Sequence, residues 1–334
     1  MSARVLVGEV GLSLAVELLR KGDIVALPTE TVYGLAGDAF QPMAVARIFE
    51  AKGRPLTDPL IVHLPEVQWL GRVACFDSPD QKDLAEELAA AFWPGPLTLL
   101  LKKVADLPDL VTAGSEFVAV RVTSHPFFHK VLRHLDSPIA APSANRFGCI
   151  SPTSAQDVLF ELGDKIAMIL DGGSCLHGLE STIVNLSDQK IRILRPGPIT
   201  GDQLSKYGQV SVATEKVNTP GGLPGHYAPK KELRIIKTDI NSVHPKQTIG
   251  LLAFTPPDQK VAEGFGSVEV LSITGDLREA ASNFYHALRS LDNSKVDIIY
   301  AESFPEQGIG VAIMDRLRRA EHGSLNNAPQ ATIA

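Results

Sequence analysis

Several short polar segments of this 334-residue chain carry side chains suited to holding a small anionic molecule. An apolar run, Ile24 to Pro28, leads into Thr29-Glu30-Thr31-Val32-Tyr33-Gly34-Leu35. Hydroxyls at the carboxyl end of a buried strand sit where open α/β sheets place ligands; a Thr-rich turn capping a helix is the plainer alternative. Lys52-Gly53-Arg54-Pro55 sets two cations around a glycine. Such a pair can clamp phosphates, Arg through a planar fork and Lys as a point charge, or can be solvated surface. His63 ends the next apolar run and by itself reads as a structural histidine.

Arg121 lies inside an apolar stretch, Phe117 to Val122. A buried guanidinium needs an anionic partner, either an internal carboxylate or one on a substrate. The small residues of Ala140-Ala141-Pro142-Ser143-Ala144-Asn145 let backbone N–H groups approach an anion. Ser143 and Asn145 can bond to phosphate or ribose, or can form an Asx/Ser turn. Gly178-Leu179-Glu180-Ser181-Thr182 and Arg195-Pro196-Gly197 allow the same two readings.

Other chemistries are excluded by what is missing. The chain has no GxxxxGK[ST] loop, no HExxH, no GxSxG and no kinase motif set. Gly308-Ile309-Gly310 precedes a helical pattern, but its spacing does not match a dinucleotide fingerprint. Three cysteines, Cys75, Cys149 and Cys175, are far apart with no CxxC, which disfavours a zinc ribbon or disulfide framework. The net charge of −6 sits in residues 1–205, with 18 Lys+Arg against 24 Asp+Glu; residues 206–334 balance at 14 against 14. Tight non-specific nucleic-acid binding, which rests on phosphate neutralisation, is therefore not expected. The apolar runs are far shorter than the roughly 20 residues of a membrane span, and no signal peptide is read at the start. A cytoplasmic setting is the expectation.

The elements that must position these residues alternate between strand and helix. Helices are expected at Gly11 to Arg20, Pro42 to Ala51 and Ser78 to Phe92, the last with Ser78 as cap and Pro79 in the first turn. Strands are expected at 24–28, 59–64, 97–103, 117–122, 166–170, 181–186 and 191–194. Composition shifts at Thr219 to Pro229, where three Pro and three Gly fall in eleven residues, the mark of a linker or long loop. A second α/β pattern follows, with strands at 233–237, 249–254, 268–273 and 296–302 and helices near 277–291 and 311–321. This gives a first domain over 1–209, a linker or lid over 210–231, a smaller α/β domain over 232–323 and a disordered tail over 324–334.

The order of PTETVYGL, KGRP with PLIVH, APSAN, GLESTIV and LRPGPIT, followed by HYAP, resembles the YrdC-type threonylcarbamoyl-AMP synthase family in its longer two-domain form. The combination KxR with SxN, here Lys52, Arg54, Ser143 and Asn145, is the most specific part. The resemblance implies an α/β fold: a twisted, open, mixed-sheet catalytic domain with a large concave cavity, and a smaller Rossmann-like domain. It implies synthesis of threonylcarbamoyl-AMP and pyrophosphate from L-threonine, bicarbonate and ATP with Mg²⁺. A downstream transferase complex then modifies tRNA beside the anticodon; direct tRNA contact is left open, and no membrane is involved. Carried across by position, Lys52, Arg54, Ser143 and Asn145 form the catalytic set. The same four with Leu56, Ser151, Arg195 and Tyr227 are expected around ATP, and Thr29, Tyr33, His63, Arg121, Ala141 and Ser181 around threonine. No resident metal ligands are implied.

Two departures stand out. Arg146-Phe147 precede Gly148 where a small residue is usual, and Leu223 and Gly225 stand where basic residues often precede HYAP. Two other functions are alternatives. One is an RNA-binding or ribosome-maturation factor without turnover, which the acidic balance disfavours. The other is carbamoyl transfer in hydrogenase maturation, which brings zinc fingers that this chain lacks.

Overall fold

The computed structural model describes residues 2–187, 190–213, 219–220, 225–236 and 248–327. The chain divides into two compact units, one of residues 1–147 and 151–223, the other of 148–150 and 224–334. Among the described residues no helix is long and apolar enough to cross a membrane.

The first unit is built from β1 (Arg4–Val7), α1 (Gly8–Arg20), β2 (Val25–Leu27), β3 (Gly34–Asp38), α2 (Pro42–Lys52), β4 (Ile61–His63), β5 (Ala74–Cys75) and α3 (Pro79–Phe92). It continues with β6 (Leu97–Lys103), β7 (Phe117–Arg121), α4 (Pro126–Leu135), β8 (Ile139–Ala140), α5 (Ala155–Leu162) and β9 (Met168–Asp171). Last come β10 (Thr182–Ser187), β11 (Lys190–Arg195), α6 (Gly201–Leu204) and β12 (Gln209–Val212).

These strands form one mixed sheet in the order β1-β9-β2-β3-β8-β4-β7-β6-β10-β11-β12, with β5 on β6. Local sequence explains the main elements. In α1, Leu12, Ala15, Val16 and Leu19 recur at helical spacing and are buried. In α2, Pro42 opens the first turn and Gly53, at φ 61°, closes the helix in the left-handed region. The Gly53 and Arg54 N–H groups then return to Glu50 and Phe49 carbonyls at 3.1 and 3.0 Å. That cap turns the chain sharply, so Lys52 and Arg54 leave the helix end in a fixed direction. Ser78 caps α3 by accepting from Gln81 N–H at 3.1 Å.

The sheet's central strands are largely apolar. Val25, Ala26, Leu27, Val62, Leu99 and Val120 are fully buried, as strands covered on both faces require. Strand β4 pairs in parallel with β7, which places His63 opposite Arg121 at the carboxyl ends of both. Strand β12 pairs with β11, so residues 210–212, expected in the linker, extend the first unit's sheet instead.

The second unit has β13 (Glu232–Ile235), β14 (Ile249–Ala253), α7 (Gln259–Ala262), β15 (Ser267–Val270), α8 (Leu277–Asn293), β16 (Ile298–Ala301) and α9 (Gly310–Asn327). Its four strands are parallel in the order β13-β16-β14-β15. Asp276 caps α8, accepting from Arg278 and Glu279 N–H at 2.7 and 2.9 Å. Ala280, Ala281, Phe284, Leu288 and Leu291 line the buried face of α8.

The expected tail is corrected in part. Helix α9 continues to Asn327, and Ser324, fully buried, accepts from the Leu233 N–H at 2.9 Å. Burial of one helix face outweighs the polar composition there. Residues 328–334 lie outside the described residues, as do Leu223 and Lys237.

Candidate active site

The loop after β2 is held by its own hydroxyls. Thr29 Oγ1 lies 2.8 Å from Thr31 Oγ1, donates to the Val32 carbonyl at 2.6 Å, and accepts from Thr31 and Val32 N–H at 3.0 and 3.2 Å. Such side-chain turns compete with helix and leave the loop compact. The loop then docks on two other predicted segments. Ala144 N–H donates to the Tyr33 carbonyl at 2.8 Å, Tyr33 N–H donates to Pro152 at 2.9 Å, and Gly34 bridges Ser143. His177 N–H reaches the Glu30 carbonyl at 2.8 Å, bringing the stretch before Gly178 to the same place.

Lys52 joins the Ser143–Asn145 loop directly. Its ammonium donates to the carbonyls of Ser143 and Asn145, each at 2.6 Å, and its own carbonyl accepts from Phe147 N–H at 2.9 Å. The Arg54 guanidinium is turned inward. It donates to the carbonyls of Asp58 and Pro59 at 3.0 and 2.8 Å and pairs with the Asp58 carboxylate at 2.9 Å. Both Arg54 and Asp58 are buried.

A third group collects around β7. Arg121 Nη2 donates to Glu30 Oε2 at 3.2 Å and to Thr31 Oγ1 at 3.1 Å; Thr123 Oγ1 donates to the same Glu30 oxygen. The ion pair is almost completely buried, with the two side chains 3% and 5% exposed. Burial lowers the Arg121 pKa, and the Glu30 charge works against that shift. His63 stacks obliquely on Phe128 at 4.7 Å. Burial and then the Arg121 charge hold its pKa well below the ordinary imidazole range, so the ring is neutral near pH 7.

Ser181 and Arg195 meet where β10 begins and β11 ends in the same sheet. Arg195 donates to the Ser181 carbonyl at 3.1 and 2.9 Å, to Ser181 Oγ at 3.1 Å and to Pro220 at 2.9 Å. Ser181 Oγ also lies 2.8 Å from Thr98 Oγ1. Gly197 permits this close approach, because a Cβ there would lie 2.5 Å from Thr182 N and 2.7 Å from the Glu180 carbonyl. Ser151 Oγ donates to Glu180 Oε1 at 2.6 Å.

Of the remaining expected residues, Ala141 is buried, and its N–H donates to the Ile61 carbonyl at 2.9 Å. The Tyr33 hydroxyl serves the turn after β9: it accepts from Gly172 N–H at 3.1 Å and faces the Gly173 carbonyl at 2.8 Å. Burial raises its pKa. Leu56 is 63% exposed. Tyr227 belongs to the second unit, where it has φ 68° and its ring packs 5.8 Å from Tyr285, with the Arg316 guanidinium 5.2 Å away.

The first unit thus brings Thr29, His63 and Arg121 into one polar cluster, and Lys52 into another with Ser143 and Asn145. Three participants escaped the motif reading: Glu30, Thr123 and Asp58. An arginine inside an apolar strand announces that some carboxylate must exist, but not which one.

Among the described residues no group of three or more His, Cys, Asp and Glu is arranged to hold a metal ion.

The chain and its fold have counterparts in known proteins. Residues 17–197 match the Sua5–YciO–YrdC family model, described as telomere recombination. Residues 197–321 match the model of the threonylcarbamoyl-AMP synthase C-terminal domain. The chain is 39% identical to a threonylcarbamoyl-AMP synthase of Pyrococcus abyssi, covering 92% of this chain and 93% of that one. It is 40% identical to a threonylcarbamoyl-AMP synthase of Bacillus subtilis, with 92% of each chain covered. The crystal structure of P. abyssi Sua5 complexed with L-threonine superposes with a TM-score of 0.85 at 35% identity, covering 96% of this chain and 98% of that one. With both family models and full-length relatives in agreement, the chain belongs to the Sua5–YciO–YrdC family, in the form that carries the threonylcarbamoyl-AMP synthase C-terminal domain.

Proposed function

We propose that this chain is a threonylcarbamoyl-AMP synthase, making threonylcarbamoyl-AMP and pyrophosphate from L-threonine, bicarbonate and ATP. The observation that carries the assignment is the junction of Lys52 with Ser143 and Asn145, which joins the two halves of the family's most specific motif at hydrogen-bond distance.

The chemistry suits the residues. The threonine amine and bicarbonate condense to a carbamate with loss of water. A carbamate oxygen then attacks the α-phosphorus of ATP, and pyrophosphate leaves. Nucleophile and electrophile are both anionic, so the barrier falls when fixed positive groups offset their repulsion and hold the reacting atoms in line. Lys52, with Ser143 and Asn145, is assigned to the phosphates. The buried ammonium fixes the loop, so Ser143 and Asn145 are held in place without reorganisation. Arg195 is assigned to the nucleotide and also orients Ser181. Arg121 is assigned to the threonine carboxylate, with Thr29 and neutral His63 beside it.

Mg²⁺ on the triphosphate would add Lewis-acid charge stabilisation. Tyr227, Leu56 and Ser151 are assigned to the nucleotide on family resemblance, as are Tyr33 and Ala141 to the amino acid. Transfer of the product to tRNA by a separate complex, in the cytoplasm, completes the proposed pathway.

The test is pyrophosphate release from ATP by the full chain, with each substrate omitted in turn. Release should require both L-threonine and bicarbonate. Release that persists without threonine would overturn the assignment.

A further inference from the structure

Three polar atoms of the Arg121 cluster are buried and have no hydrogen-bond partner: Glu30 Oε1, Arg121 Nε and His63 Nδ1. A buried polar atom left unpaired is destabilising, more so when the group is charged. Three such atoms on adjoining residues therefore mark a place where a partner is missing. Their types say what kind of partner. Arg121 Nε is a donor on a cation, and Glu30 Oε1 is an acceptor on an anion. Glu30 Oε2 is already shared by Arg121 and Thr123, so only Oε1 remains.

The cluster's charge points the same way. Arg121 and Glu30 cancel, and His63 is held neutral by burial. A ligand carrying one net negative charge would leave that charge uncompensated in a desolvated site. A ligand that is itself neutral overall, but positive at one end and negative at the other, leaves nothing uncompensated.

Resting on the threonine reading above, we infer that Glu30 is a substrate-binding residue: its Oε1 accepts from the α-ammonium group of the amino acid whose carboxylate Arg121 receives. The Glu30–Arg121 pair is then a receptor for an α-amino acid zwitterion, each partner keeping one atom for the ligand. The same arrangement steers the product of carbamoylation. Once the amino nitrogen carries a carboxylate, that group is repelled by Glu30 and turns away from it.

The experiment uses the full chain and titration calorimetry with two probes, L-threonine and 3-hydroxybutyrate, which is threonine without its amino group. Wild-type protein should bind L-threonine at least tenfold more tightly than 3-hydroxybutyrate. Glu30→Gln, which keeps size and shape, should weaken L-threonine at least tenfold and leave 3-hydroxybutyrate within about twofold.

Equal weakening of both probes by Glu30→Gln would mean that Glu30 only positions Arg121, and the inference fails. Unchanged threonine binding in Glu30→Gln sinks it as well. Should the variant not fold, the wild-type comparison decides: equal affinity for the two probes overturns an ammonium acceptor. Failure of wild-type protein to bind L-threonine at all would overturn the functional reading itself. Threonine binding with no discrimination would overturn only the role of Glu30.

Discussion

The Lys52 ammonium donates to the Ser143 carbonyl at 2.6 Å across 91 residues of chain, and to the Asn145 carbonyl at the same distance. A lysine in that position acts first on protein. It fastens the end of α2 to a loop of small residues, the loop that the proposed function assigns to the phosphates.

Replacing it should therefore damage both folding and chemistry. Lys52→Ala strips one buried and one half-buried carbonyl of their donor, at about 1–3 kcal/mol for the first and less for the second. Urea unfolding should show a loss of about 2–4 kcal/mol. Pyrophosphate release should fall by more than a hundredfold under conditions where the variant is still folded. A stable variant with wild-type turnover would remove Lys52 from the site.

Arg121 presents the opposite balance. Arg121→Ala leaves Glu30 as a buried, uncompensated carboxylate, and breaking one side of such a pair costs about 3–5 kcal/mol. Arg121→Lys keeps the charge but loses the fork, so it should fold better while still raising the threonine requirement by about tenfold or more. The KM for ATP should move far less. An Arg121→Lys enzyme with an ordinary threonine KM would cancel the carboxylate assignment.

His63 makes a prediction about acid. Its pKa is depressed in the folded state, so below about pH 6.5 the unfolded chain takes up a proton that the native ring refuses. Stability should thus fall as pH drops from about 6.5, by up to ~1.4 kcal/mol per pH unit for this group. His125, also lowered by burial, adds in the same direction. Denaturation at several pH values should show a shallower acid slope in His63→Asn than in the wild type. Identical slopes would mean that His63 titrates normally.

Two glycines offer a matched pair. At Gly53, with φ 61°, a Cβ meets nothing within 4 Å, so Gly53→Ala should cost only left-handed backbone strain of about 1 kcal/mol. At Gly197 the Cβ would collide with the backbone of Glu180, Ser181 and Thr182. Gly197→Ala should cost several-fold more in thermal denaturation and displace Ser181 from Arg195, with a matching loss of turnover. Equal costs at both positions would show that the 180–182 backbone yields easily.

The order of the motifs made the family legible, and apolar runs gave most of the central strands within a residue or two. Other parts were hidden for physical reasons. Gly34–Asp38 forms β3 although its side chains have little strand preference; its register comes from the neighbours β2 and β8. The helix Pro126–Leu135 does carry a signal, with Phe128, Val131, Leu132 and Leu135 buried at helical spacing. Glu30 is the sharpest case. Its neighbours in sequence are threonines, while its ionic partner lies 91 residues away, and only strand pairing in three dimensions brings them together.

One tripeptide makes the architecture harder to cut than its two family models suggest. Gly148–Ile150 lies in sequence between Asn145 and Ser151, yet belongs to the second unit, where Gly148 accepts from Ala228 N–H at 2.8 Å and Ile150 from Arg289 at 2.8 Å. A protein shortened after residue 223 would not be a clean half. It would retain three orphaned residues directly beside the Ser143–Asn145 loop, so weak activity in such a fragment would report that frayed edge as well as the loss of Tyr227.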